Sequence, residues 1–446
     1  MALYVACHPK SNLRSNVLER TLQHFLHMHR TETRCRSCGG PDLTLVLDLG
    51  ETPLADRLVS ADRLSESEPR FPLRVALCGQ CALVQIIDSV EAQVLFDEEY
   101  PYFSSFSPAL LAHSKANVEA LIKARDLGPH SLVIELASND GYLLKNYVEA
   151  GIPVLGIDPA PGPAKAAEAI GVPTLTTFFT VDLARKLAAE GKRADVIHAN
   201  NVLAHVPDLN GFVQGIRETL KDNGVAVIEA PYLKCLIDRL EFDTIYHEHM
   251  CYFSVCALDN LFRRNGLYLN EIQHLSIHGG SLRLFVERVE RVGASVRDQL
   301  AIERAEGLDR LDYFRSFATS VAGVRSGLLE LLHGLKADGA RIAAYGAAAK
   351  GATLINYTGV GTDLIDFVVD RNVHKHGRYM PGQKIEILPP ESLIERKPDY
   401  VLVLAWNFID EIVAQQRAYL EGGGRFIIPV PEPRVYAPPA QQGMSA

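Results

Sequence analysis

The apolar residues of this chain fall into short blocks separated by turns, and the rhythm of the blocks changes twice along its length. From "HSLVIELASNDGYLLKNYVEAG" onward, "SLVIEL", "PVLGIDPA", "ADVIHANNVLAHV" and "GVAVIEAPYL" read as buried strands, with helical stretches such as "LLKNYVEAG", closed by Gly151, between them. Alternation of this kind predicts an open parallel sheet with helices on both faces. A long helical stretch from Ser295 to Gly339 leads into a second series of "RIAAYG", "AAKGATLINYTG", "LIDFVVDRN", "DYVLVLAW", "IDEIVAQQRAYLEGG" and "RFIIPVPEP". Upstream, "LTLVLDLG" and "FPLRVALC" predict a small β-rich module. The fold class expected is therefore α/β, with two Rossmann-like units and one small β module. The boundaries drawn are 1–34, a His- and Arg-rich extension with one short helix over "NVLERTLQHFLHMH" and no assigned function; 35–99, the β module; 100–293 and 294–436, the two α/β units; and 437–446, a disordered tail.

Length and composition agree with this division. The chain has 446 residues, of which 47% are hydrophobic and 22% charged, as in soluble multi-domain proteins. A net charge of −9 and a pI of about 5.9 argue against nucleic acid or an anionic membrane surface as partner. The start, "MALYVACHPKSN", lacks a basic n-region, and no apolar run reaches spanning length, so the expected location is cytoplasmic. The oligomeric state is left open, a monomer included.

Four of the eight cysteines form two C-x-x-C pairs, Cys35/Cys38 and Cys78/Cys81, inside the β module. Paired knuckles suit a tetrahedral zinc, and four thiolates leave no open position for water, so the metal is expected to be structural. Where the first α/β unit turns from strand to helix, dinucleotide-binding proteins carry G-x-G-x-x-G. This chain has Ala137-Ser138-Asn139-Asp140-Gly141 instead, which disfavours NAD. Glu135 on the first strand and Asp158 ending the second fit an S-adenosylmethionine site of the class I methyltransferase kind. Asp158 would accept from ribose hydroxyls, Asn139 and Gly141 would line the turn, and Asn200 at a later strand end joins the same side.

The densest chemistry is Tyr246-His247-Glu248-His249, a phenol, two imidazoles and a carboxylate in four residues. The spacing is not that of a zincin helix, and the stretch reads as acid/base machinery. Extended, it would put His247 and His249 on one face and Tyr246 and Glu248 on the other. His205 follows another strand end, and Tyr100 and Tyr102 lie in "EEYPYFSSFSP". In "SIHGGSLRLF" a glycine turn leads into Arg283, a candidate anion contact. In the last unit Gly346 and Lys350 suggest a phosphate site, joined by Asp370 and Arg371 after the next strand.

Together these strings resemble the S-adenosylmethionine-dependent sugar C-methyltransferases of antibiotic deoxysugar pathways, which act on nucleotide-linked 4-keto-deoxyhexoses. The likeness runs from about Cys35 to Pro433. It implies zinc on Cys35, Cys38, Cys78 and Cys81, and an active-site Tyr-x-Glu-His on Tyr246, Glu248 and His249. It adds a further His at His205, a Tyr at Tyr100 or Tyr102, and a nucleotide-sugar site in the C-terminal unit. The implied cycle has His249, oriented or charged by Glu248, deprotonate the carbon beside the ketone, with Tyr246, His205 and the upstream Tyr holding the sugar and its enolate. His247 would be a bystander. Rival readings are a methyltransferase for a non-sugar acceptor and a non-catalytic zinc/Rossmann binding protein. Neither the sugar carbon methylated nor the nucleotide base can be read from the sequence.

Overall fold

The computed structural model describes residues 29–91, 94 and 104–436. Tyr100, Tyr102, the N-terminal helix expected before His29 and the tail after residue 436 lie outside the described residues.

The central unit is a seven-stranded sheet. From one edge the order is Tyr268–Leu275, Ser281–Glu287, Leu220–Pro231, Ala194–Asn200, Val133–Leu136, Val154–Asp158 and Thr174–Thr176. The last five are parallel, and Ser281–Glu287 runs antiparallel between its two neighbours. Val133–Leu136 is buried at every position, because helices cover both faces. Its neighbours follow it in opposite directions along the sheet, which makes its C-terminal end the switch point where open α/β sheets take ligands.

The C-terminal unit repeats this plan with six strands, ordered Ile387–Leu388, Val368–Val369, Ile342–Tyr345, Tyr400–Val403, Arg425–Ile428 and Arg434–Val435. Only the last is antiparallel. Its switch point again lies at its first strand, Ile342–Tyr345.

The cysteine module is an antiparallel sheet of Leu43–Thr52, Phe71–Cys78 and Val84–Ile86, and its fourth strand, Cys251–Tyr252, comes from the segment directly after His249. The module has no core of its own. Leu47, Leu73 and Val75 pack into the C-terminal unit's core, while Leu54, Phe71 and Leu83 pack into that of the central unit. Val59 and Tyr379 exchange backbone hydrogen bonds of 2.9 and 2.8 Å, and the Gly382 N–H donates to both carboxylate oxygens of Glu68 at 3.0 Å. The module therefore ties the outer unit to the central one.

Two helices make the covalent link. Phe317–Ala337 buries Phe317, Val321, Val324, Leu328 and Leu332, a single stripe at helical spacing. Ala294–Glu306, grouped with the C-terminal unit by sequence, is anchored to the central one by Glu303. That carboxylate is fully buried and accepts from the Tyr232 hydroxyl and from the Val255 and Cys256 N–H groups, each at 2.8 Å, so it caps the helix Val255–Arg264 from a distance.

Glu303→Ala would strand two buried N–H groups and a phenol. We expect a loss of about 3–5 kcal/mol of stability by denaturant unfolding, on the scale of breaking a buried charged hydrogen-bond set, with Glu303→Gln losing less.

Candidate active site

The four cysteine sulfurs lie within 4.8 Å of one another, with Cys35–Cys81 and Cys38–Cys78 contacts of 3.5 Å. A tetrahedral zinc with 2.3 Å bonds sets sulfurs about 3.8 Å apart, so the donor set fits the metal. The two knuckles share one backbone design. Gly39 and Ala82 donate to the Cys35 and Cys78 carbonyls at 2.9 Å, and both stand at positive φ, +71° and +62°.

At the central switch point, Ala137, Asn139 and Gly141 adopt φ of +56°, +49° and +76° while the residues between them do not. This alternation curls the backbone into a cradle of N–H groups. Gly141 must be glycine on two counts, since a Cβ there would also stand 3.1 Å from Val172. Asp158 closes the turn, accepting at 2.8 Å from Asn139 N–H and from Ala160 N–H. Asn139 in turn accepts from the Ser104 N–H at 2.9 Å.

Burial and the neighbouring Asp158 and Asp140 hold Glu135 well above the ordinary carboxyl range, and burial likewise raises Asp158. Among the described residues no cation pairs with Glu135, Asp140 or Asp158, and Asn200 Oδ1, at a neighbouring strand end, is buried without a hydrogen-bond partner. A cationic ligand with hydroxyls fits such a lining better than an anionic one. S-adenosylmethionine is such a ligand.

Tyr246 to His249 form a turn, not an extended strand: the His249 N–H donates to the Tyr246 carbonyl at 2.8 Å. The turn stacks the two rings at 4.0 Å and brings the Tyr246 hydroxyl to 2.9 Å from His249 Nε2. His249 Nδ1 meets the Thr244 carbonyl at 2.8 Å. A carbonyl only accepts, so the proton is assigned to Nδ1, and Nε2 is the atom that takes the phenol proton. His205 packs edge-on to His249 at 4.7 Å between centroids. Burial pushes His205 down to about 4, so it is neutral at working pH.

Several sequence expectations are corrected here. Glu248 does not orient His249; Thr244 does. Glu248 is buried, and burial with Asp56 of the cysteine module as like-charged neighbour pushes it up to about 8. His247 is a structural pin, its Nε2–H donating to the Pro72 carbonyl at 3.0 Å and its ring standing edge-on to Phe71. Arg283 is no ligand contact. It lies opposite Glu229 in the antiparallel register and binds it at 2.7 and 2.8 Å, so its anion is internal. Arg371 pairs with Glu411 on the surface.

Lys350 is likewise engaged, at 2.9 Å from Asn407 Oδ1, 3.7 Å from Asp243 Oδ2 and 4.2 Å over the Trp406 ring. Gly346 does sit where a turn requires it, at φ +101° with a Cβ position 2.8 Å from Ala405. Asp370 accepts from Ala347 N–H at 2.7 Å and Asn372 N–H at 2.8 Å, as Asp158 does in the central sheet.

The residues that sequence reasoning missed are Asp243, Thr244, Trp406 and Asn407. Signals were available for two of them: an acid just ahead of the Tyr-His-Glu-His run, and the single tryptophan immediately after a strand's C-terminal end.

Three family models together cover most of the chain. The model described as "Putative zinc binding domain" matches residues 35–96, "Methyltransferase domain" 112–272 and "C-methyltransferase C-terminal domain" 276–431. The C-methyltransferase NovU of Streptomyces niveus is 36% identical over 404 residues, which is 90% of this chain and 96% of that protein. The chain belongs to the C-methyltransferase family. It is an S-adenosylmethionine-dependent C-methyltransferase whose cysteine module carries a structural zinc. A ubiquinone biosynthesis O-methyltransferase of Bartonella bacilliformis is 28% identical over 28% of this chain and 52% of its own. Among solved structures, the magnesium protoporphyrin IX methyltransferase of Synechocystis aligns at 15% identity and a TM-score of 0.32, over 41% of this chain and 82% of that one. No helix of the described residues is long and apolar enough to cross a membrane.

Two outcomes follow from this geometry. Removing zinc with a chelator should lower Tm and methyl transfer together, because the metal-bound module supplies the sheet that Cys251–Tyr252 joins; loss of metal by elemental assay with full activity would contradict this. Burial also pushes His247 down to about 4. Between pH 6.5 and 4 this imidazole stays unprotonated in the folded state while the unfolded chain protonates it, so His247 lowers stability as pH drops, by roughly 3 kcal/mol at the low end. His205, likewise pushed down to about 4, acts in the same direction, so His247→Gln should make that limb shallower without removing it in denaturant titrations run across this range.

Proposed function

We propose that this C-methyltransferase acts on a nucleotide-linked 4-keto-deoxysugar, methylating the carbon beside the ketone. The observation that carries the reading is the Thr244–His249–Tyr246 chain, which presents an imidazole of fixed tautomer through a phenol. A carbon acid of this class needs a base and hydrogen bonds to the enolate oxygen. The proton from carbon passes to the Tyr246 oxygen as the phenol proton moves to His249 Nε2, and the imidazole becomes the cation. Neutral His205, beside His249, donates or lends shape without acting as an acid. When bound at the Ala137–Gly141 turn, S-adenosylmethionine supplies an electrophilic methyl group. Asn139, Gly141, Asp158, Glu135 and Asn200 are the residues proposed to hold it.

The nucleotide is assigned to the second switch point, with Gly346 giving the close approach and Asp370 fixing the turn. Support comes from the likeness of this turn to the central one. Lys350 contributes by holding the segment that carries the base, and a direct phosphate contact is not needed. A nucleotide-linked acceptor then spans from the C-terminal unit to the central one, and much of the rate comes from placing two substrates.

His249→Asn and Tyr246→Phe should each lower methyl transfer to a 4-keto sugar nucleotide by about a hundredfold or more. Both should slow solvent deuterium exchange at the α-carbon measured without methyl donor. Full retention by His249→Asn would remove it as the proton acceptor, and normal exchange in Tyr246→Phe alone would mean that His249 acts directly.

A further inference from the structure

The tautomer of His249 depends on where the Thr244 carbonyl stands, and that carbonyl ends a short helical turn, Phe242–Thr244. The turn lies next to the central unit in sequence, yet its side chains are fastened to the C-terminal one. Asp243 is fully buried and accepts at 2.7 Å from the indole N–H of Trp406, with Lys350 Nζ at 3.7 Å from the same oxygen. Lys350 lies over the Trp406 ring and donates to Asn407, so cation, indole and carboxylate form one closed set. Phe242, also fully buried, meets the Tyr357 ring edge-on at 5.2 Å, on the helix Ala349–Thr358 that carries Lys350. Asp243 Oδ1 is buried without a hydrogen-bond partner. A buried carboxylate held by only two groups is stable only while both stay in place.

We infer that Asp243 is a positioning residue for the base: through Trp406 and Lys350 it fixes the Phe242–Thr244 turn, and so holds His249 in the Nδ1–H form only while the C-terminal unit is docked. This rests on the reading of His249 and Tyr246 as the proton-accepting pair. It gives Lys350 and Trp406 a role in catalysis that touches no reacting atom. A unit assigned to the acceptor would thereby also complete the base.

The test uses the full-length, zinc-loaded protein. Asp243→Asn keeps an acceptor for the indole and removes the charge facing Lys350; Asp243→Ala removes both; Trp406→Phe removes the donor. Turnover should fall by about tenfold to a hundredfold, the scale set by a misplaced catalytic group, with the acceptor KM and the S-adenosylmethionine Kd near wild type. Asp243→Asn should lose least, and the Asp243→Ala, Trp406→Phe double variant should be no worse than the poorer single one.

Two readouts do not depend on turnover. Imidazole nitrogen chemical shifts should show the Nδ1–H tautomer of His249 in the wild type and a mixture in Asp243→Ala and Trp406→Phe. Because Trp406 is the chain's single tryptophan, its emission should move to the red in Asp243→Ala. An unchanged tautomer, additive losses, or a change confined to the acceptor KM would overturn the inference. If His249→Asn proved fully active, the base assignment would fall, while the tautomer measurement would still decide whether Asp243 positions that ring.

Discussion

The backbone of Met250 joins the zinc module to the central unit of this enzyme. Its N–H donates to the Ala204 carbonyl at 2.7 Å, beside His205 in the central unit, and its carbonyl accepts from the Ile86 N–H of the zinc module at 2.9 Å. The next two residues then enter the zinc module's sheet. Seven residues upstream, the start of the same segment is held by the C-terminal unit through Asp243. The stretch between these anchors contains Tyr246, Glu248 and His249, so no single unit contains the intact site. On the proposed reading of Tyr246 and His249, that arrangement lets a structural metal bear on catalysis through folding. The zinc orders two knuckles, the knuckles order a sheet with no core of its own, and the edge of that sheet receives the strand ending the catalytic segment.

Legibility in the sequence followed the range of the interactions concerned. The cysteine pairs and the strand–turn–helix at Ala137–Gly141 are local patterns set by metal geometry and backbone conformation, and both fold as the sequence implies. The parallel sheets were readable because doubly covered strands are mostly apolar. Arg283 was misread because its partner, Glu229, is 54 residues away and is brought opposite it only by the strand register. The Asp243 partner of Lys350 was invisible for the same reason, since that carboxylate is in another unit. The Tyr246–His249 run was recognised as chemistry, but its geometry could not be, because spacing alone does not separate a strand from a turn. A turn makes residues three apart into ring neighbours and moves the orienting role from Glu248 to a backbone carbonyl with no side-chain signature.

The two Rossmann-like sheets use one device twice. In each, an aspartate ending the second strand accepts from an N–H of the turn after the first strand and from an N–H two residues beyond itself. An acid so placed is satisfied by the backbone before any ligand arrives, which keeps the turn shaped in its absence. What differs is the lining beyond. The central turn carries Glu135 and Asp140 without a paired cation among the described residues, whereas the outer one has Lys375 at 3.8 Å from Asp370 and 2.7 Å from the Ala347 carbonyl. One framework therefore presents an acid-lined cradle on one side of the Tyr246–His249 segment and a cation-bearing one on the other. That asymmetry suits a cationic methyl donor facing an anionic acceptor.

The charge balance around the base follows from burial. His205 and His247 are driven towards their neutral forms, and Glu248 towards its protonated one, so the immediate neighbours of His249 carry little net charge. A neutral imidazole in such surroundings gains nothing from a fixed counter-ion when it takes up a proton. In the proposed cycle the cation it becomes would be stabilised instead by the Thr244 carbonyl dipole and by the negative charge developing on the enolate itself. The enolate's share of that stabilisation is present only while the carbanion exists, and it disappears once the methyl group has been captured. The extra proton is then held less tightly on His249, which favours its loss and return of the base to its resting tautomer for the next cycle.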